Sequence, residues 1–177
     1  MTRTRTYHPG IIELGKKVII SDPSYEPGLW CCRETEILPG KYECSVRRNK
    51  LKTWGDRSVS VRIQHMDYPD VKCNISLLHI DVDSGQAGFF DAGYYYEKAG
   101  NAEPCKGVNE EWFKRVCAIT INNKKPFDTI DAKSVVTESG LGDGSYTCFA
   151  GKNTRGEIVA LEIVFIDDYE IKEINED

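Results

Sequence analysis

The sequence predicts a mostly β domain, sandwich-like or a partly open barrel, with one or two short helices. Three observations lead there. Apolar residues recur with period two in several short runs, turn residues punctuate those runs, and only one segment opens with a clear helix signal. Taken in order, Lys17–Ile20 is a short apolar strand, stopped at Ser21-Asp22-Pro23 because proline cannot continue a ladder. Gly40–Arg48 and Ser58–Gln64 form a strand pair. In the second, Val59, Val61 and Ile63 alternate with polar neighbours, the pattern of a half-buried strand. Ile75–Ile80 is a further strand, and Asp91–Lys98 a short helical turn. Asn109 caps a helix with Glu110 and Glu111 in its first turn, where negative charge suits the dipole, and with Trp112, Phe113 and Val116 as its buried stripe. The β-branched run Val116–Ile121 reads as a strand. Ser134–Glu138, Ser145–Ala150 and Glu157–Ile166 complete the set. The Asp-Gly of Gly140–Gly144 marks a hairpin between the first two. The last run, apolar on both faces apart from Glu162, is expected at the centre of a sheet.

The chain has 177 residues, 40% hydrophobic and 29% charged, which suits one packed domain over 1–177 with 1–10 and 167–177 peripheral or mobile. A net charge of −5 argues against nucleic acid as the main partner. No apolar run is long enough to span a bilayer, and the polar, basic start does not read as a signal peptide. The seven cysteines, Cys31, Cys32, Cys44, Cys73, Cys105, Cys117 and Cys148, include no Cys-x-x-Cys pair and read as reduced core thiols of a cytoplasmic protein. The basic cluster of Arg47, Arg48, Lys50, Lys52 and Arg57 around Trp54 has the composition of a solvated hairpin loop.

Candidate chemistry gathers in three segments, each at the end of an expected strand: Ser21–Tyr25, Asp81–Asp91 and Gly142–Tyr146. A site drawn from them comprises Asp22, Tyr25, Asp83, Ser84, Gln86, Asp91, Tyr95, Asp143 and Tyr146. Aspartates fix a ligand's orientation there, and tyrosines offer a stacking face with a polar tip. Asp81, Asp83 and Asp91 are a candidate oxygen set for a hard divalent cation, calcium or magnesium. The EF-hand pattern itself fails, because Gln86 stands where that loop needs glycine and Ala92 where it needs glutamate. No Gly-x-Ser-x-Gly elbow or Walker loop occurs. His8, His65 and His79 read as packed or surface residues.

Ser21-Asp22-Pro23-x-Tyr25, Leu38-Pro39-Gly40-Lys41-Tyr42, Val82–Asp91 and Gly140-x-Gly142-Asp143-Gly144-Ser145-Tyr146 together resemble a family of uncharacterised bacterial and phage proteins, known only as a domain of unknown function. The resemblance spans roughly Val18 to Ile166. It implies a bacterial or phage cytosolic setting and no particular activity. The function expected is a cytoplasmic ligand-binding protein with its site in the Asp/Gly/Ser/Tyr-rich loops and a small molecule or a protein as partner. One alternative is an aspartate-based, divalent-metal-dependent hydrolase. The other is a protein-interaction module, such as a phage factor acting on a host protein.

Overall fold

The computed structural model describes residues 4–29, 31–100 and 107–176. Two antiparallel sheets face each other in a sandwich-like arrangement with three short helices and no closed barrel. The six-stranded sheet runs β1 (Arg5–Leu14), β4 (Gly40–Leu51), β5 (Gly55–His65), β11 (Ile158–Val164), β10 (Gly144–Lys152), β6 (Ile75–Val82). The five-stranded sheet runs β3 (Arg33–Glu36), β2 (Lys17–Ser21), β7 (Gln86–Asp91), β9 (Ser134–Glu138), β8 (Phe127–Ile130). The predicted central strand, β11, lies between β5 and β10.

Alternation in three strands makes the smaller sheet a middle layer. Val18, Ile20, Phe89 and Val135 enter the core between the sheets. Their neighbours Ile19, Phe90 and Val136 point the other way, against α1 (Ala92–Lys98) and α2 (Glu110–Thr120). This is why β7 carries consecutive Phe89 and Phe90, both fully buried. Gly88, just before them, is needed for packing, since a Cβ there would sit 2.1 Å from the Val135 carbonyl oxygen.

Several expectations are corrected. Val116–Thr120 belongs to α2, not to a strand. The Asn109 cap and the acidic first turn carry that helix on, and Val116 fills the interface with the sheet while Phe113 stays 40% exposed. Gly140–Gly144 is not a hairpin turn: β9 and β10 lie in different sheets, so this segment crosses between layers. β1, β3, β7, β8 and α3 (Asp168–Glu176) were not foreseen. Cys105 lies outside the described residues; Cys31, Cys44 and Cys148 are free and buried.

The basic hairpin is only in part a solvated loop. Lys50, Lys52 and Trp54 are exposed, but Arg48 is 3% exposed. Its guanidinium bridges the sheets: Nη1 donates to Glu138 Oε1 on β9 at 2.7 Å and to Ser58 Oγ at 2.8 Å, and Nη2 donates to the Asp56 carbonyl at 2.8 Å. Ser58 Oγ in turn accepts from Thr137 Oγ1 at 2.9 Å. The arginine's remaining face lies over Phe127.

A second ion pair ties the helical layer to its sheet. Arg115 of α2 forks onto Asp131, which also accepts from Tyr94 Oη at 2.5 Å. The Arg115 hydrogen bond, then that from Tyr94, lowers the Asp131 carboxyl to about 2. A depressed folded-state pKa stabilises above the unfolded value and is lost as pH falls toward 2. Wild type is therefore expected to lose stability between about pH 4 and pH 2 more steeply than Asp131→Asn in acid titrations followed by circular dichroism. The step is small because the pair is half exposed. Asparagine tolerates the positive φ of 50° at this position, so the backbone is left in place.

Candidate functional site

Asp22 closes β2 at a position where the chain must turn and bury a carboxylate; it is fully buried. Its Oδ1 accepts from Ser24 N at 2.9 Å, Ser24 Oγ at 2.8 Å and Ser84 Oγ at 2.6 Å. Its Oδ2 accepts from Asp83 N at 2.9 Å and Ser84 N at 2.7 Å. The first two segments thus meet, with Asp22 tying the β2 turn to the β6–β7 crossover. Around this knot, Tyr25 Oη donates to Asp83 Oδ2 at 3.0 Å, Tyr95 Oη to the Tyr25 carbonyl at 2.7 Å, and Trp112 Nε1 to the Pro23 carbonyl at 2.9 Å. Gln86 is buried beneath it, donating to Ser84 Oγ at 3.1 Å and accepting from Thr120 Oγ1 at 2.6 Å.

The third segment arrives through its backbone. Ser139 N donates to the Gly85 carbonyl at 2.9 Å, and Gly142 packs beside Gly85. Tyr146 Oη donates to the Gly142 carbonyl at 2.6 Å and so braces its own loop. Asp143 itself is exposed. Asp91 is not part of the cluster. It sits at the other end of β7, about 17 Å along the strand from Gln86, accepting from Gly15 N at 2.8 Å and capping α1 through Tyr94 N at 3.0 Å. Asp81 is half-buried on β6, opposite Ser145. Among the described residues no group of three His, Cys, Asp or Glu side chains is placed to hold a metal ion.

The electrostatics fit a structural knot. Burial, then the Asp83 hydrogen bond, pushes the Tyr25 phenol up to about 12. Burial also carries the Cys31 thiol up to about 11, with Asp22 and Asp81 adding to the shift, so this thiol is no nucleophile at neutral pH. A carboxylate offers roughly four lone-pair sites. The five donors on Asp22 leave no room for a cation or a substrate proton.

A concavity lies at the opposite end of the six-stranded sheet, where β4 begins and β5 ends. It encloses about 510 Å³ and is lined by 38–41, 65–68 and Arg155. One wall is built from residues 38–41 of the Leu38-Pro39-Gly40-Lys41-Tyr42 run. Leu38 N donates to the Ile158 carbonyl at 2.9 Å, and Tyr42 Oη donates to the Leu38 carbonyl at 2.6 Å. Gly40 has φ +148°, and a Cβ there would come 2.4 Å from His65 Nε2. Only glycine lets the backbone approach the imidazole this closely.

His65 is 5% exposed and its ring meets Tyr42 and Tyr68 edge-on, with centroids 5.0 and 5.6 Å away. Asp67 N donates to Nδ1 at 3.1 Å, so Nδ1 carries no proton. Nε2 then holds the hydrogen and donates to the Pro39 carbonyl at 3.2 Å. Both nitrogens are occupied, and His65 is a wall rather than a base. Arg155 is steered across the cavity by Glu157, 2.8 Å from Nε, and donates to Tyr68 Oη at 3.2 Å. Gly40→Ala is expected to cost about 1–3 kcal/mol by strain and overpacking, read as a lower Tm with displaced His65 ring resonances.

None of these residues stood among the expected site residues. The available signal was Pro39-Gly40 ahead of Lys41, together with the His-Met-Asp-Tyr-Pro turn after β5.

The fold and its sites define a two-sheet β sandwich with a helical outer layer, a carboxylate-knotted loop cluster at one end and an open cavity at the other. The family described as "Protein of unknown function (DUF4241)" matches residues 16–163, and the chain belongs to that family. No curated protein and no solved structure matches it.

Proposed function

We propose that the protein binds a small molecule in the cavity lined by 38–41, 65–68 and Arg155, and that the aspartate-rich loop cluster is its structural counterpart rather than its active centre. The observation that carries this is the cavity's construction. A concavity of about 510 Å³ falls within the usual range of ligand sites, roughly 300–1,000 Å³. The hydrogen bond from His65 to the Pro39 carbonyl ties its aromatic wall to the opposite wall, and the bond from Tyr42 to the Leu38 carbonyl braces that opposite wall from within its own run. Preformed walls of this kind lower the ordering cost of binding. Hydrolysis by paired aspartates is the weaker reading, because Asp22 and Asp91 already accept from backbone donors on separate parts of the chain.

The chain has two methionines, Met1 and Met66, and Met66 lines the cavity. Labelling with ¹³C-methyl methionine thus places one reporter at the site. A panel of amino acids, nucleotides, sugars and phosphates is expected to contain a compound that shifts the Met66 methyl signal and raises Tm. A hit that raises Tm while leaving Met66 unmoved, and loses its effect in Asp83→Asn or Asp143→Ala, would return the site to the loops.

A further inference from the structure

The charges around the cavity suggest what kind of molecule it takes, and this inference rests on the cavity reading. Three ionised side chains, Lys41, Asp67 and Arg155, line the space, and they fall into two sorts. The Arg155 guanidinium is paired with Glu157 and bonded to Tyr68 Oη. The Lys41 ammonium and the Asp67 carboxylate, both exposed, have neither an ion-pair nor a hydrogen-bond partner among the described residues. They come from facing chains held together at this point, since Met66 N donates to the Lys41 carbonyl at 2.9 Å. Among the described residues, the cavity therefore presents one cation and one anion without a partner, not paired with each other. Between and behind them lie Leu38, Pro39, Met66 and the ring of Tyr68.

A simple anion would gain Lys41 but meet Asp67 at the same mouth. A simple cation would gain Asp67 and meet Lys41. A molecule bearing both charges satisfies both, and an apolar or aromatic body would cover the Met66 thioether and the Tyr68 ring. We propose that the cavity formed by Lys41, Met66, Asp67, Tyr68 and Arg155 binds a zwitterion with an apolar body, of the free α-amino acid type. Lys41 receives its carboxylate and Asp67 its ammonium group.

The test is a titration of ¹³C-methyl-labelled protein with L-phenylalanine, N-acetyl-L-phenylalanine, phenethylamine and inorganic phosphate, read at Met66. Phenylalanine is expected to bind about tenfold or more tightly than either singly charged analogue, a preference of about 1.4 kcal/mol. Lys41→Gln should weaken phenylalanine to the level of phenethylamine without weakening phenethylamine. Asp67→Asn should weaken phenylalanine to the level of the N-acetyl compound without weakening that compound. Both side chains are exposed, so neither change should disturb the fold, which the unbound spectra verify. If phosphate or the N-acetyl compound binds as tightly as phenylalanine, the zwitterion assignment is overturned while the cavity stands as an anion site. If all four probes leave Met66 unmoved, the zwitterion assignment fails. The cavity reading fails only if the wider panel is silent there as well.

Discussion

Asp22→Asn is expected to cost about 2–6 kcal/mol of folding stability, a large share of what a domain of this size has. The reason is donor arithmetic. The wild-type carboxylate accepts from Asp83 N and Ser84 N on one oxygen and from Ser24 N, Ser24 Oγ and Ser84 Oγ on the other. An amide replaces one oxygen with a donor. In either orientation the new NH₂ faces at least one backbone N–H that has no other acceptor at hand. Each buried unsatisfied group costs about 1–3 kcal/mol, and a second donor is pushed away with the first. The hydroxyls of Ser24 and Ser84 can rotate, whereas the amides of Asp83 and Ser84 cannot. Chemical denaturation should show the loss, and amide exchange at Asp83 and Ser84 should speed up before exchange in β4 or β5 does. A loss below about 1 kcal/mol, with exchange unchanged, would mean that the knot is not what holds these loops.

Arg48→Met is expected to be of similar size, about 3–5 kcal/mol, because it strands Glu138 and Ser58 between the sheets. Glu138 keeps a longer contact to Arg57, at 3.5 Å, which moderates the loss. Changing both partners, Arg48→Met with Glu138→Leu, should recover most of the stability, since the cost lies in the unpaired charge rather than in the missing pair. A double variant no more stable than the arginine variant alone would show that the network's value lies in geometry that apolar side chains cannot replace. The two replacements probe different regions, one the loop end of the sandwich and the other the contact between β4 and β9, so their effects should add within about 0.5 kcal/mol.

What was legible in the sequence follows the physics of local signals. Alternation placed β5, and two-faced apolarity placed β11 at the centre, because burial on one or both faces writes itself into consecutive residues. Asn109 announced α2 because capping is a local bond. The middle layer was harder. β7 is covered on both sides, and in its short Ala87-Gly88-Phe89-Phe90 stretch burial on two faces looks like no period at all. Gly140–Gly144 carries hairpin residues but serves a crossover between sheets, a choice made by tertiary packing of Gly140 against Phe165. In the loop cluster, Asp22 meets Asp83 and Ser84, whereas Asp91 lies at the far end of β7 and Asp143 is exposed. Nothing in Ser21–Tyr25 distinguishes an aspartate that waits for a ligand from one saturated by another loop's amides. The cavity was illegible for a related reason. Its two walls are 24 residues or more apart in sequence and are brought together by the β4–β5 register, Tyr42 opposite His65.

The proposed division of labour between the two ends of the sandwich is tested most directly by mapping ligand contacts in solution. Backbone and Met66 methyl signals should be followed while a Tm-raising compound from the panel is titrated in. Shifts confined to 38–41, 65–68 and 155, with 22–25, 83–86 and 142–146 unmoved, are the predicted result. Shifts centred on Tyr25, Asp83 and Asp143, with Met66 silent, would contradict it.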